Sequence, residues 1–134
     1  MHEALATALA AVLHDVTVAG GIIPQVRDEQ WSDVPGQECA VLYWADGSGF
    51  GVHVMLGESP DQQLASLADQ VQDGEVGQLP AERLPATWPE CPRHPNSHPM
   101  SAVALDGAAV WVCPKDSWAI SRVGELSGPP ARRG

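Results

Sequence analysis

The sequence predicts an α+β protein, an N-terminal αββα two-layer module followed by a small β module held at a metal-ligand corner. Two stretches, residues 3–16 and 59–73, carry apolar side chains at helical spacing. Between them, residues 39–45 and 50–56 have the composition and period of two strands. After Trp88 the chain turns proline-rich and poor in core residues, with cysteines and histidines on either side of a second hairpin.

In the first helix Leu5, Leu9, Val12, Leu13 and Val16 form one apolar stripe, which Gly20-Gly21 and Pro24 end. Residues 24–38 are polar and turn-prone with Trp31 as their one large apolar group, and read as a loop draped over the fold. Cys39 to Ala45 is a continuous run of strand formers, expected to be covered on both faces. Asp46-Gly47-Ser48-Gly49 is a turn, and Phe50, Val52, Val54 and Leu56 then alternate with smaller or polar residues, completing a hairpin. Ser59-Pro60-Asp61-Gln62 starts the second helix, with Ser59 as N-cap, Pro60 in the first turn and Gln62 closing a capping box. Leu64, Leu67, Ala68 and Val71 continue it, and Gly74 is expected to stop it. Ala102–Leu105 and Ala109–Val112 flank an Asp106-Gly107 turn as a second hairpin, and residues 118–123 are a candidate third strand.

Charge divides the chain more sharply than hydropathy does. Residues 1–80 hold twelve acids against the single base Arg27, a net of −11, whereas residues 81–134 hold five acids and six bases. The expected organisation is an acidic αββα module over 1–80, a Pro-rich linker over 81–87, a metal-stapled module over 88–126 and a flexible tail over 127–134. Such a division implies two unequal stability units, the second dependent on metal, unless Trp88 packs on the sheet and joins them. With a total charge of −10 and only scattered Arg93, Lys115 and Arg122 near the second hairpin, nucleic acid is an unlikely partner. No apolar run approaches the ~18–20 residues of a membrane span. The Met1-His2-Glu3 start lacks the basic region of a secretory signal. Three cysteines do not suit a fully paired disulfide framework, so a cytoplasmic, reducing location is expected.

Metal chemistry is the strongest functional signal. Cys91-Pro92-Arg93-His94-Pro95-Asn96-Ser97-His98 gives C-x2-H-x3-H before the hairpin, and Cys113-Pro114-Lys115-Asp116 follows it. Two Cys-Pro corners joined by a hairpin are the layout of a zinc ribbon, whose knuckles meet at one end of the hairpin. The expected Zn²⁺ ligands are Cys91, His94, His98 and Cys113, with Asp116 the alternative to His98. Zinc's preference for nitrogen and sulfur in structural sites favours the imidazole. A usual knuckle runs C-P-x-C-G, and here Pro95 and Ser117 stand where the glycines would be. The bland alternative is surface histidines in a Pro-rich loop beside two incidental core cysteines. Cys39 is expected to be a small core residue, His53 a sheet-surface residue, His14 a helix-end residue favoured by the dipole, and His2 a mobile terminal one.

Catalytic patterns are missing from the sequence. His2-Glu3 is followed by Ala6 where H-E-x-x-H needs histidine, and no phosphate loop, nucleophile elbow or dinucleotide fingerprint occurs. Glu90, beside Cys91, is the one carboxylate that could be offered as a base.

Three pieces also carry a resemblance: residues 67–72, residues 88–99, and Asp106-Gly107 with Val110-Trp111-Val112-Cys113-Pro114. Over about Leu42 to Leu126 the chain resembles a group of short uncharacterised proteins of high-GC actinobacteria. The resemblance implies a bacterial cytoplasmic protein with a C-P-x-H-P-x-x-H-P metal motif, and no activity. The expectation is a small zinc-binding protein with structural zinc and an unidentified protein partner, acting as an interaction or regulatory adaptor. The alternatives are an enzyme with an open zinc site and a thiol-based redox or zinc sensor.

Overall fold

The computed structural model describes residues 1–95 and 97–127, so all but the first residue of the expected tail lies outside the described residues. The elements in order are α1 (Glu3–Val18), β1 (Gln25–Arg27), β2 (Gln37–Tyr43), β3 (Gly49–Met55), α2 (Pro60–Gln78), a 3-10 turn (Leu79–Glu82), β4 (Ser101–Leu105), β5 (Ala108–Val112) and β6 (Ala119–Arg122). The strands make two antiparallel sheets, β1-β2-β3 and β4-β5-β6. The fold is therefore α+β, as the patterning predicts. Helix α2 packs on β3 of the first sheet and on β4 and β5 of the second, with α1 lying against α2.

Several local expectations change for identifiable reasons. Helix α2 runs through Gly74 because that glycine is a packing residue: a Cβ there would meet the Trp44 ring at 2.9 Å. The 24–38 segment includes β1, too short to show a period, which pairs with Val41–Tyr43 of β2. The rest of that segment does drape over the first sheet. Trp31 lies above Gly51 and its Nε1–H donates to the carbonyls of Ala40 (3.0 Å) and Val52 (3.2 Å). Cys39 is buried beneath Gln30, whose amide accepts from the Cys39 N–H at 3.1 Å. Helix α1 continues past His14, so the imidazole is not at its end; His14 Nε2 donates instead to the Leu126 carbonyl at 3.2 Å. His2 caps α1, its Nδ1 accepting from the Ala4 N–H at 3.0 Å. The Ser59–Gln62 capping box is present, with Pro60 in the first turn of α2.

Across the compositional boundary near residue 80 the buried side chains form one continuous cluster. Trp88 and Trp111 meet edge to face at 5.6 Å within it, both almost fully buried. Asp15 of α1 ties the second sheet to the first helix. Its buried carboxylate accepts from Trp111 Nε1 (2.8 Å), Gly124 N (2.7 Å) and Leu126 N (3.0 Å). Gln72 of α2 donates to the carbonyls of Trp88 (3.0 Å) and Met100 (2.6 Å), fixing the start of β4.

Glu75 is the less comfortable buried acid. One oxygen accepts from the Ile22 N–H at 2.6 Å, while its Oε2 and the neighbouring Trp88 Nε1 have no partner among the described residues. Gly21 makes this approach possible, since a Cβ would stand 2.9 Å from Glu75 Oε1 and 3.1 Å from Trp88 Nε1. Burial pushes the Glu75 carboxyl up from 4.5 to about 7.

Two predictions follow from these acids. Asp15→Ala orphans three N–H groups, two buried and one part-buried, and should cost about 3 kcal/mol in chemical denaturation, with Asp15→Asn losing less. For Glu75 the folded pKa lies above the unfolded one, so the native state holds the proton more tightly. Its contribution is whole below about pH 4.5 and fades as pH rises through about 7. Glu75→Gln should therefore gain about 2 kcal/mol on wild type between about pH 5 and about pH 8, after allowance for residual solvation. A pH-independent difference between the two proteins would contradict this.

Candidate metal centre

The first half of the site is a closed loop. Glu90 and Pro99 face each other as an antiparallel bridge, the Cys91 N–H donates to His98 O at 3.2 Å, and Met100 N–H donates to Pro89 O at 2.8 Å. Within the loop His94 N–H turns back to Cys91 O at 3.2 Å, which brings its imidazole over the cysteine. The second half leaves the end of β5. Ser117 N–H donates to Cys113 O at 2.8 Å and Cys113 N–H to Trp118 O at 2.9 Å. Ser117 takes φ +62°, the left-handed conformation that the usual knuckle gives to glycine. The substitution noted in the sequence is thus accommodated by backbone strain and not by a different turn.

Four donor atoms converge between these halves. Those of Cys91, His94, His98 and Cys113 all lie within 4.8 Å of one another. Cys91 Sγ is 3.8 Å and Cys113 Sγ 3.4 Å from His94 Nδ1, Cys113 Sγ is 3.9 Å from His98 Nε2, and the two imidazole nitrogens are 3.0 Å apart. A tetrahedron with M–S of about 2.3 Å and M–N of about 2.0–2.1 Å separates its ligand atoms by about 3.3–3.8 Å. The four closest separations straddle this range, and closing the widest pair, within 4.8 Å, by up to about 1 Å would complete a tetrahedron around a metal ion. Both cysteines are fully buried and both histidines half-buried.

The tautomer of His98 is set from behind. Its Nδ1 is 2.8 Å from the Pro99 carbonyl, which can only accept, so Nδ1 carries the proton and Nε2 presents a lone pair to the site. Burial pushes the Cys113 thiol up. A cation beside it acts in the opposite sense, because the thiolate is the form that binds.

Asp116 is not among the four. Its carboxylate accepts from Trp118 N–H at 3.0 Å and from Arg93 Nε at 2.8 Å. First the Trp118 N–H, and then Arg93, hold it below the ordinary carboxylate range. Arg93 belongs to the first half of the site and Asp116 to the second, so the ion pair stitches the two together. The Arg93 guanidinium also lies 4.8 Å from the centroid of the Trp118 ring. Trp118 lies just before β6, is 59% exposed, and supplies the ring over which this guanidinium sits. In the sequence Arg93 reads only as one of a few scattered bases. The signal was its place inside the first corner, opposite an acid at the matching place in the second. Glu90 is exposed and outside the cluster, while Cys39, His2, His14 and His53 all lie elsewhere, His53 against the edge of Trp31.

The chain matches no protein-family model, and neither the curated proteins nor the solved structures contain a significant match. Among the described residues, no helix is long and apolar enough to cross a membrane.

This geometry ranks the two candidates for the fourth ligand. His98→Ala should weaken metal affinity by at least ~100-fold in chelator competition, whereas Asp116→Ala, acting through Arg93, the turn and its contact with the Cys113 thiol, should change it by less than ~10-fold. The reverse ranking would move the site to Asp116.

Proposed function

We propose that this chain is a small zinc protein in which Cys91, His94, His98 and Cys113 hold one structural Zn²⁺, and that it works as an interaction adaptor. The observation that carries the reading is the spacing of the four donors, two of them buried sulfurs. Two thiolates neutralise a divalent ion, which suits a buried position. Zinc rather than a harder cation follows from the S2N2 donor set. Four protein ligands fill the tetrahedron, so the ion's role is to join the loop at 91–98 to the turn at 113–118, not to activate water. Burial of both cysteines favours a structural over a redox role. The likeness to short bacterial proteins read from the motif belongs to this proposal and adds no activity to it. The adaptor role rests on the exposed apolar side chains Val103 and Leu105 of the second sheet.

Protein purified without chelator should carry about one zinc per chain by elemental analysis. Clearly substoichiometric zinc in protein whose 88–126 region is folded would contradict the reading. Because Trp88 and Trp111 place both sheets on one core, chelation should also lower stability in a single cooperative transition seen by both tryptophan fluorescence and far-UV circular dichroism. Separate transitions for the two sheets would instead support two stability units.

A further inference from the structure

Three of the four sheet edges are managed. β1 has three residues and carries Arg27. β6 has four, ends on Arg122, and pairs through a register irregularity at Trp111/Val112. The outer edge of β3 is taken up by glutamines of α2. Gln70 both accepts from His53 N–H (2.9 Å) and donates to His53 O (3.0 Å), and Gln63 donates to Met55 O (2.8 Å). Short strands, charges and covered backbone are the usual defences of an edge.

β4 has neither charge nor covered backbone beyond its first residues: α2 packs beside it and Gln72 bonds Met100 O, but among the described residues no side chain bonds the backbone of Ala102 or Ala104. Ser101–Leu105 contains no charge and no proline, and among the described residues its only ladder partner is β5. The two-residue turn at Asp106-Gly107, both at positive φ, makes Leu105↔Ala108 the closing pair. Residues 105, 103 and 101 then exchange bonds with β5, and the N–H and C=O of Ala102 and Ala104 point outward. Val103 (37% exposed) and Leu105 (46%) lie on the outer face of the sheet, away from the core that Ala102 joins.

The flank of this edge is acidic. Gln72 bonds Met100 O just before β4, Asp69 lies one turn earlier on the same side of α2, and Asp73 adjoins it. Both aspartates are exposed, as is Asp106 at the hairpin tip. Partial burial, and then the charge of Asp73, raises the Asp69 carboxyl.

We propose that the outer edge of β4 accepts an extended segment of a partner protein in which apolar and basic residues alternate. Its backbone bonds Ala102 and Ala104. Its apolar side chains lie over Val103 and Leu105, and its basic ones turn inward towards Asp69 and Asp73 on α2. A second copy is the poorer occupant, because each chain carries −10 and brings the same carboxylates to the joint. The inference deepens the adaptor reading and rests on that part of it; the zinc content of the same sample reports separately on the metal.

The test titrates the zinc-loaded full chain with a short acetylated, amidated Val-Arg repeat peptide and with its Val-Glu counterpart. The Val-Arg peptide should slow exchange of the Ala102 and Ala104 amides by at least ~10-fold, and the Val-Glu peptide should not. Raising salt from about 0.05 M to about 0.5 M should weaken binding at least ~5-fold. Ala104→Pro, which removes an outward N–H and no β4–β5 bond, should abolish the protection. Should that variant unfold, Val103→Lys should weaken Val-Arg binding at least ~5-fold by adding like charge at the edge. Equal binding of the two peptides, changes confined to other residues, or no change at β4 would overturn the proposal. So would protection that grows with protein concentration alone together with a doubled mass, which would give the edge to a second copy.

Discussion

Four electron-pair donors facing one small volume are the constraint on which the second half of this structure depends. Two buried sulfurs and two imidazole nitrogens at 3.0–3.9 Å along the measured edges form an arrangement that a cation makes favourable. Among the described residues of the loop from Cys91 to His98, Cys91 alone joins the core, so the hydrophobic hold on the loop is small. Its order comes instead from the backbone bonds at its base and from convergence on Cys113. Arg93, Asp116 and Trp118 then lie across the joint as a polar clasp, each fixed by the others.

The four-donor corner stands at the margin of a core that Cys91 and Cys113 join. Asp15, Trp111, Trp88 and Gln72 form a buried polar and aromatic sequence of contacts from α1 through the second sheet to α2. A carboxylate that accepts three N–H groups is well satisfied in the interior, and its three donors come from β5 and the segment after β6. Glu75, one step away beside Gly21, is only half satisfied. The two acids show how environment rather than burial alone decides whether an interior carboxyl stabilises the fold.

Much of this was legible in the sequence. Both long helices, the two main hairpins and the capping box were written in apolar spacing, an Asp-Gly turn and Ser59-Pro60-Asp61-Gln62, all local signals. The four converging donors were legible too, because Cys-Pro corners on either side of a hairpin have few other uses. What failed to show was set by contacts distant in sequence. β1 is too short to have a period and exists because β2 offers an edge. Gly74 looks like a helix stop until Trp44 is seen above it. Trp118 is as apolar as a core residue, yet it lies exposed against Arg93. The compositional break near residue 80 is real as charge, yet it is bridged by Trp88, whose burial depends on a sheet that forms later in the chain.

The central claim is the composition of the coordination sphere, and zinc-edge X-ray absorption on protein purified without chelator tests it most directly. The account predicts a four-coordinate ion with two sulfurs at about 2.3 Å and two nitrogens at about 2.0–2.1 Å, with the outer-sphere scattering of two imidazole rings. A sphere with a carboxylate or water oxygen in place of one nitrogen, or with fewer than two sulfurs, would contradict it.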